Sequence, residues 1–138
     1  GYSNITNRMY SFGGWNDDVG YLYDMMSFDI DRNNVIIYSG YINGGAFGCI
    51  QSYITINNVI YLNFAKKVRI FDMRSEPPIY SSKGNPSLDT FHKCATAPND
   101  ELVYFIAGGN YLKTDDISDI FVIYDINLNQ LINGPSVP

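Results

Sequence analysis

A chain of 138 residues with 46% hydrophobic and 17% charged residues can bury the core of one domain, and its 15% aromatic share excludes a disordered chain. Nine Lys and Arg against fourteen Asp and Glu give a formal charge of -5, and the largest basic group is Lys66, Lys67 and Arg69, so no nucleic-acid partner is expected. No apolar run approaches the ~18 to 20 residues of a membrane helix, which argues against membrane insertion, and two cysteines with one histidine supply neither a disulfide scaffold nor a four-ligand zinc site.

Strand signals run from end to end. Short stretches rich in Ile, Val, Tyr and Phe, bounded by Gly, Asn, Asp or Pro, predict strands at 9–12, 25–30, 35–38, 50–56, 59–64, 68–73, 91–95, 102–107 and 120–126. No window carries a helical period. Ser52 to Ile56, then Asn57-Asn58, then Val59 to Leu62 predicts a hairpin closed by two residues that tolerate positive φ. The chain therefore reads as consecutive antiparallel hairpins.

Those hairpins repeat. Asp29 to Ile36 aligns with Asp125 to Ile132, sharing Asp, Ile, Asn and Ile in register, and Asp72 to Ile79 is a weaker third copy. Phe28, Phe71 and Tyr124 precede the three aspartates, and a tyrosine-bearing strand lies upstream of each: Met9 to Gly14, Ile60 to Phe64 and Val103 to Gly109. Gly13-Gly14 and Gly108-Gly109 are separated by twice a period of about 47 residues, the spacing of a β-propeller blade. The middle copy lacks the glycine pair and the long loop after it.

Met9-Tyr10-Ser11-Phe12-Gly13-Gly14 with Ser27-Phe28-Asp29, and Phe105-Ile106-Ala107-Gly108-Gly109 with Ile123-Tyr124-Asp125, resemble the kelch repeat. Asn133-Gly134-Pro135-Ser136-Val137-Pro138 is similar to the turn that leads into a next blade. The resemblance covers the whole chain but departs from the family at its tryptophan position, filled here by Val35, Pro78 and Leu131. It implies an all-β fold, a partial β-propeller of about three four-stranded antiparallel blades: an incomplete first at about 1–45, a second at about 46–88 and a third at about 89–138. Three blades do not close a ring, so further sequence on both sides or other copies of the chain are expected to complete it.

Each chemical motif has a plainer reading beside it. The glycine pairs are not followed by a helix as a phosphate cradle requires, so they are read as backbone devices at a strand end. Asp17-Asp18 and Asp115-Asp116 follow the two glycine pairs and carry oxygen ligands of the kind calcium takes, but without EF-hand spacing they read as solvated loops. Asp29, Asp72 and Asp125 are expected to accept backbone hydrogen bonds. His92 and Cys94 share a strand face without an orienting third group, and no catalytic residue or cofactor is assigned. Asn4-Ile5-Thr6 is a glycosylation sequon of the kind chance supplies in so Asn-rich a chain.

Aromatic and amide residues crowd the predicted loops, a composition suited to recognition. The candidate binding residues are Trp15, Asn16, Asp17, Asp18 and Tyr21 in one loop and Asn110, Tyr111, Asp115 and Asp116 in another. The resemblance implies a non-enzymatic interaction scaffold that presents these loops to a protein partner, with carbohydrate as a second ligand class. Two other readings stay open: an assembly protein whose propellers close between chains, and supporting blades of an enzyme whose catalytic residues lie elsewhere.

Overall fold

A computed structural model describes residues 1–41, 53–64, 67–84, 93–96, 101–109 and 117–135. Within them the chain is all-β, in twelve strands and three antiparallel sheets that do not close on one another. The first sheet holds β1 (Tyr2–Ser3), β2 (Arg8–Asn16), β3 (Gly20–Asp29) and β4 (Asn34–Tyr38) in chain order. The second holds β5 (Tyr53–Ile56), β6 (Val59–Phe64), β7 (Lys67–Asp72) and β8 (Ile79–Gly84). The third holds β9 (Lys93–Thr96), β10 (Leu102–Gly109), β11 (Ile117–Asp125) and β12 (Gln130–Asn133).

Local chemistry explains the connections. Asn57 and Asn58 both have positive φ, 50° and 64°, and bring Ile56 opposite Val59 in the two-residue hairpin expected from sequence. The three aspartates hold the turns after β3, β7 and β11. Asp29 Oδ1 accepts from the backbone N–H of Asp31 and Arg32, Asp72 Oδ1 from that of Arg74, and Asp125 Oδ1 from that of Leu128. Asn33 and Asn129 occupy the left-handed region in the first and third of these turns, at 49° and 53°.

The repeat is visible in the backbone itself. Ile30 N–H donates to Asn7 O, Met73 N–H to Asn58 O and Ile126 N–H to Glu101 O, one bond at the same place in each sheet. The ladders agree, pairing Met9 with Phe28, Ile60 with Phe71 and Val103 with Tyr124.

One expectation needs amendment. Gly13-Gly14 does not end its strand, whereas Gly108-Gly109 closes β10 as the sequence suggests. β2 shifts register between Phe12 and Gly14, with Gly13 and Gly14 at φ 62° and 141°, and then runs on to Asn16; β10 shifts between Ile106 and Gly108 and continues to Gly109. A bulge of this kind lets a strand bend and keep its ladder. Nor does the final segment turn away at once, since Gly134 N–H still donates to Phe121 O at 2.7 Å.

The sheets stack face to face, the second in the middle. Alternate residues of β6 serve two cores: Ile60 and Leu62 pack with Tyr10, Met25, Phe71 and Met73 toward the first sheet. Val59 and Tyr61 pack with Val68, Val103, Phe105, Val122 and Tyr124 toward the third. Each sheet thus has a front face, carrying the 9/60/103 positions, and a back face, carrying Tyr10, Tyr61 or Tyr104. The fronts of the second and third sheets pack on the back of the sheet before.

Candidate functional site

The buried polar side chains of the described residues lie in the first sheet and on the face of the second that meets it. On the back of the first sheet, Arg8 and Ser27 stand where the second sheet has Val59 and Ile70 and the third has Leu102 and Ile123. Two polar residues at core-facing positions need partners. Ser27 is fully buried, and Arg8 Nη1 donates to its Oγ at 3.0 Å while Nη2 pairs with Asp29 Oδ2 at 3.0 Å.

Glu76, from the turn between β7 and β8, completes the cluster from across the seam. Its Oε2 accepts from the Tyr10 hydroxyl at 2.6 Å and faces Arg8 Nε at 3.7 Å. Its Oε1 accepts from Ser27 Oγ at 2.9 Å and from the Tyr38 hydroxyl. The Thr6 hydroxyl lies 2.8 Å from Tyr10 Oη, and Asn4 N–H donates to Asn58 Oδ1, so the β1–β2 turn that carries the sequon is tied to the same neighbour.

Burial alone would raise the Glu76 carboxyl, but the hydrogen bonds from Tyr10, Tyr38 and Ser27 and the nearby Arg8 charge outweigh it and hold Glu76 below the usual range. Burial, then the bond to Glu76, pushes the Tyr10 phenol up to about 12, and Tyr38 rises for the same two reasons. At neutral pH the cluster is an ionised carboxylate ringed by protonated donors. Glu76 and the two tyrosines are shifted away from neutrality, in opposite directions; what the arrangement does is pin one sheet to the next.

The sequence-predicted binding residues of the first loop lie elsewhere, at one end of the first sheet. β1 pairs with β2 only at Arg8 and Met9, and β4 pairs with β3 only from Met25 to Asp29, whereas β2 and β3 stay paired out to Asn16 and Gly20. Residues 13–23 therefore form a two-stranded arm beyond the sheet. Trp15 stands directly opposite Tyr21 in that ladder. Asn16 Oδ1 accepts from the N–H groups of Asp18 and Val19, closing the tip through Asp17 and Asp18, which are exposed. Its amide oxygen is engaged in shaping the turn.

The third sheet repeats the design: β10 and β11 stay paired to Gly109 and Ile117, past the last β12 partner at Val122. Asn110, Tyr111, Asp115 and Asp116 fall outside the described residues, as does His92. In the second sheet β8 accompanies β7 to its end, so no arm forms. Among the described residues no group of His, Cys, Asp or Glu gathers in a way that would hold a metal ion, and no helix is long and apolar enough to cross a membrane.

Residue patterns alone missed Glu76 and its partners, which come from segments far apart in the chain. A signal was present in Arg8 and Ser27, the polar members of otherwise apolar repeat positions. The sequence matches no model of a known protein family and no curated protein.

Proposed function

We propose that this protein is a non-enzymatic interaction scaffold, a kelch-like propeller segment in which stacked sheets supply rigidity and the arms at one end meet a protein partner. The observation that supports this most directly is the arm of residues 13–23. It sets Trp15 directly opposite Tyr21 in a laddered pair of strands whose turn is fixed by Asn16, and an ordered backbone lowers the entropy cost of contact. The arm leading to Asn110, Tyr111, Asp115 and Asp116 is its counterpart on the third sheet.

The test starts with partners crosslinked to the full protein in extracts of its source, each then purified and titrated by calorimetry. Trp15→Ala with Tyr21→Ala should weaken binding by at least about tenfold. A variant joining Phe12 to Met25 through Asn-Gly removes the arm and should abolish binding while far-ultraviolet dichroism stays unchanged. Unchanged affinity in the trimmed variant would overturn the arm as the contact surface.

A further inference from the structure

The three sheets are built to one register, so the same positions can be compared in each. Ile60, Phe71 and Met73 on the front of the second sheet are buried against the back of the first. Val103, Val122 and Tyr124 on the front of the third are buried against the back of the second. In the first sheet the corresponding front residues are apolar as well, save Ser11 in the place of Leu62 and Phe105, but Met9 is 53% exposed, Met26 41%, Ile30 43% and Val35 54%. Tyr2, Met9, Phe28 and Val35 form one continuous row across all four strands. An apolar face of this kind marks an association surface.

The opposite end of the stack has the matching half. The back of the second sheet, which receives the third, presents Val59, Tyr61, Val68 and Ile70. In the third sheet the same positions are Leu102, Tyr104, Phe121 and Ile123, with Ile132 beside Ile123 and the Tyr104 and Phe121 rings 5.7 Å apart. This face follows the pattern of the second sheet's back and lacks the Arg8 and Ser27 of the first.

We propose that two copies of this chain associate head to tail, the back of the third sheet of one copy covering the front of the first sheet of the other. The contact continues the two seams inside the chain by the same register, with the apolar chemistry of the second. It is heterologous, since one surface meets a different one, and so it either closes into a ring or runs on as an array. The proposal deepens the scaffold reading by naming a partner for the stacked sheets. It does not involve the arms, so the two tests fail independently.

The experiment is sedimentation velocity on the 138-residue chain from about 1 to 100 μM. Wild type should shift from monomer to dimer or larger species across that range. Met26→Lys with Val35→Lys alters the front face only, and Ile123→Lys with Ile132→Lys alters the back face only. Each should remain monomeric alone, with near-ultraviolet dichroism confirming the fold. Mixed, they should form a one-to-one heterodimer, because each retains the surface the other needs. Wild type that stays monomeric throughout would overturn the proposal, as would a back-face variant that still dimerises, which would indicate front-to-front pairing.

Discussion

The two seams inside this stack do the same mechanical task with different chemistry. Between the second and third sheets, Val59, Tyr61, Val68, Val103, Phe105, Val122 and Tyr124 meet in a hydrophobic cluster, with Asp72 and Arg74 near Tyr61 at its edge. Between the first and second, an apolar cluster around Met25 and Phe71 is joined by Arg8, Ser27, Asp29 and Glu76. An apolar seam draws its strength from area removed from water and tolerates small shifts. A seam with a shared carboxylate fixes one alignment, because every misplaced donor is left unsatisfied.

The largest effect should come from emptying the apolar seam. Phe105 is fully buried, and Phe105→Ala is expected to cost about 3 to 5 kcal/mol by denaturant titration, the range for a large ring lost from a packed core. The polar seam should respond in a way the apolar one does not. Arg8→Ala leaves Asp29 and Glu76 without the cation they share and should cost about 1 to 3 kcal/mol, less than a fully buried pair because Glu76 reaches solvent. Replacing the set together with the apolar chemistry of the other sheets, Arg8→Leu with Ser27→Ile and Glu76→Leu, should be milder than Arg8→Ala alone. If the triple variant is the worse of the two, the polar seam contributes more than alignment.

Acid and alkali should also separate the seams. Glu76 is depressed in the folded state, so its contribution is present above the ordinary value of 4.5 and is lost as pH falls through the lowered one. Thermal unfolding midpoints should drop over that window, and Glu76→Gln should flatten the drop. Tyr10 and Tyr61 are both raised to about 12, so their contributions are complete below 10 and lost as pH climbs from 10 through 12. Burial is the first cause for both, but only Tyr10 also leans on Glu76. Ultraviolet titration of Glu76→Gln should therefore move Tyr10 downward and leave Tyr61 in place. The smallest effect belongs to the turns: Asn33→Ala forces alanine into the left-handed region and should cost about 1 kcal/mol, with Asn33→Gly closer to wild type.

Much of this fold was legible in the sequence because its central strands are apolar on alternate faces and its turns carry Asn and Asp where positive φ or a side-chain acceptor is needed. β6 lies where the residues predict it, and the aspartate after each aromatic does what its chemistry suggests. β1, β8 and β12 were not predicted as strands. β8 reads Ile-Tyr-Ser-Ser-Lys-Gly, and an outer strand like it is defined by the hydrogen bonds its neighbour offers more than by its own hydrophobicity. The Glu76 cluster was invisible for a related reason. Its members are brought together by sheet stacking, which no local pattern records. For the arms, the ladder explains how Trp15 and Tyr21 come to stand opposite each other, a pairing the glycine bulge makes by shifting the register.

The middle sheet also acts as a parity check on folding. Because β6 and β7 send successive side chains into two unlike cores, a one-residue slip would exchange every occupant. Arg69, buried on the front of that sheet with its guanidinium on the Tyr80 hydroxyl at 3.4 Å, would then be driven into the hydrophobic cluster on the other side. Here the tight Asn57-Asn58 turn sets the pairing of β5 and β6 locally, and the two cores on either side admit only that reading of the strand.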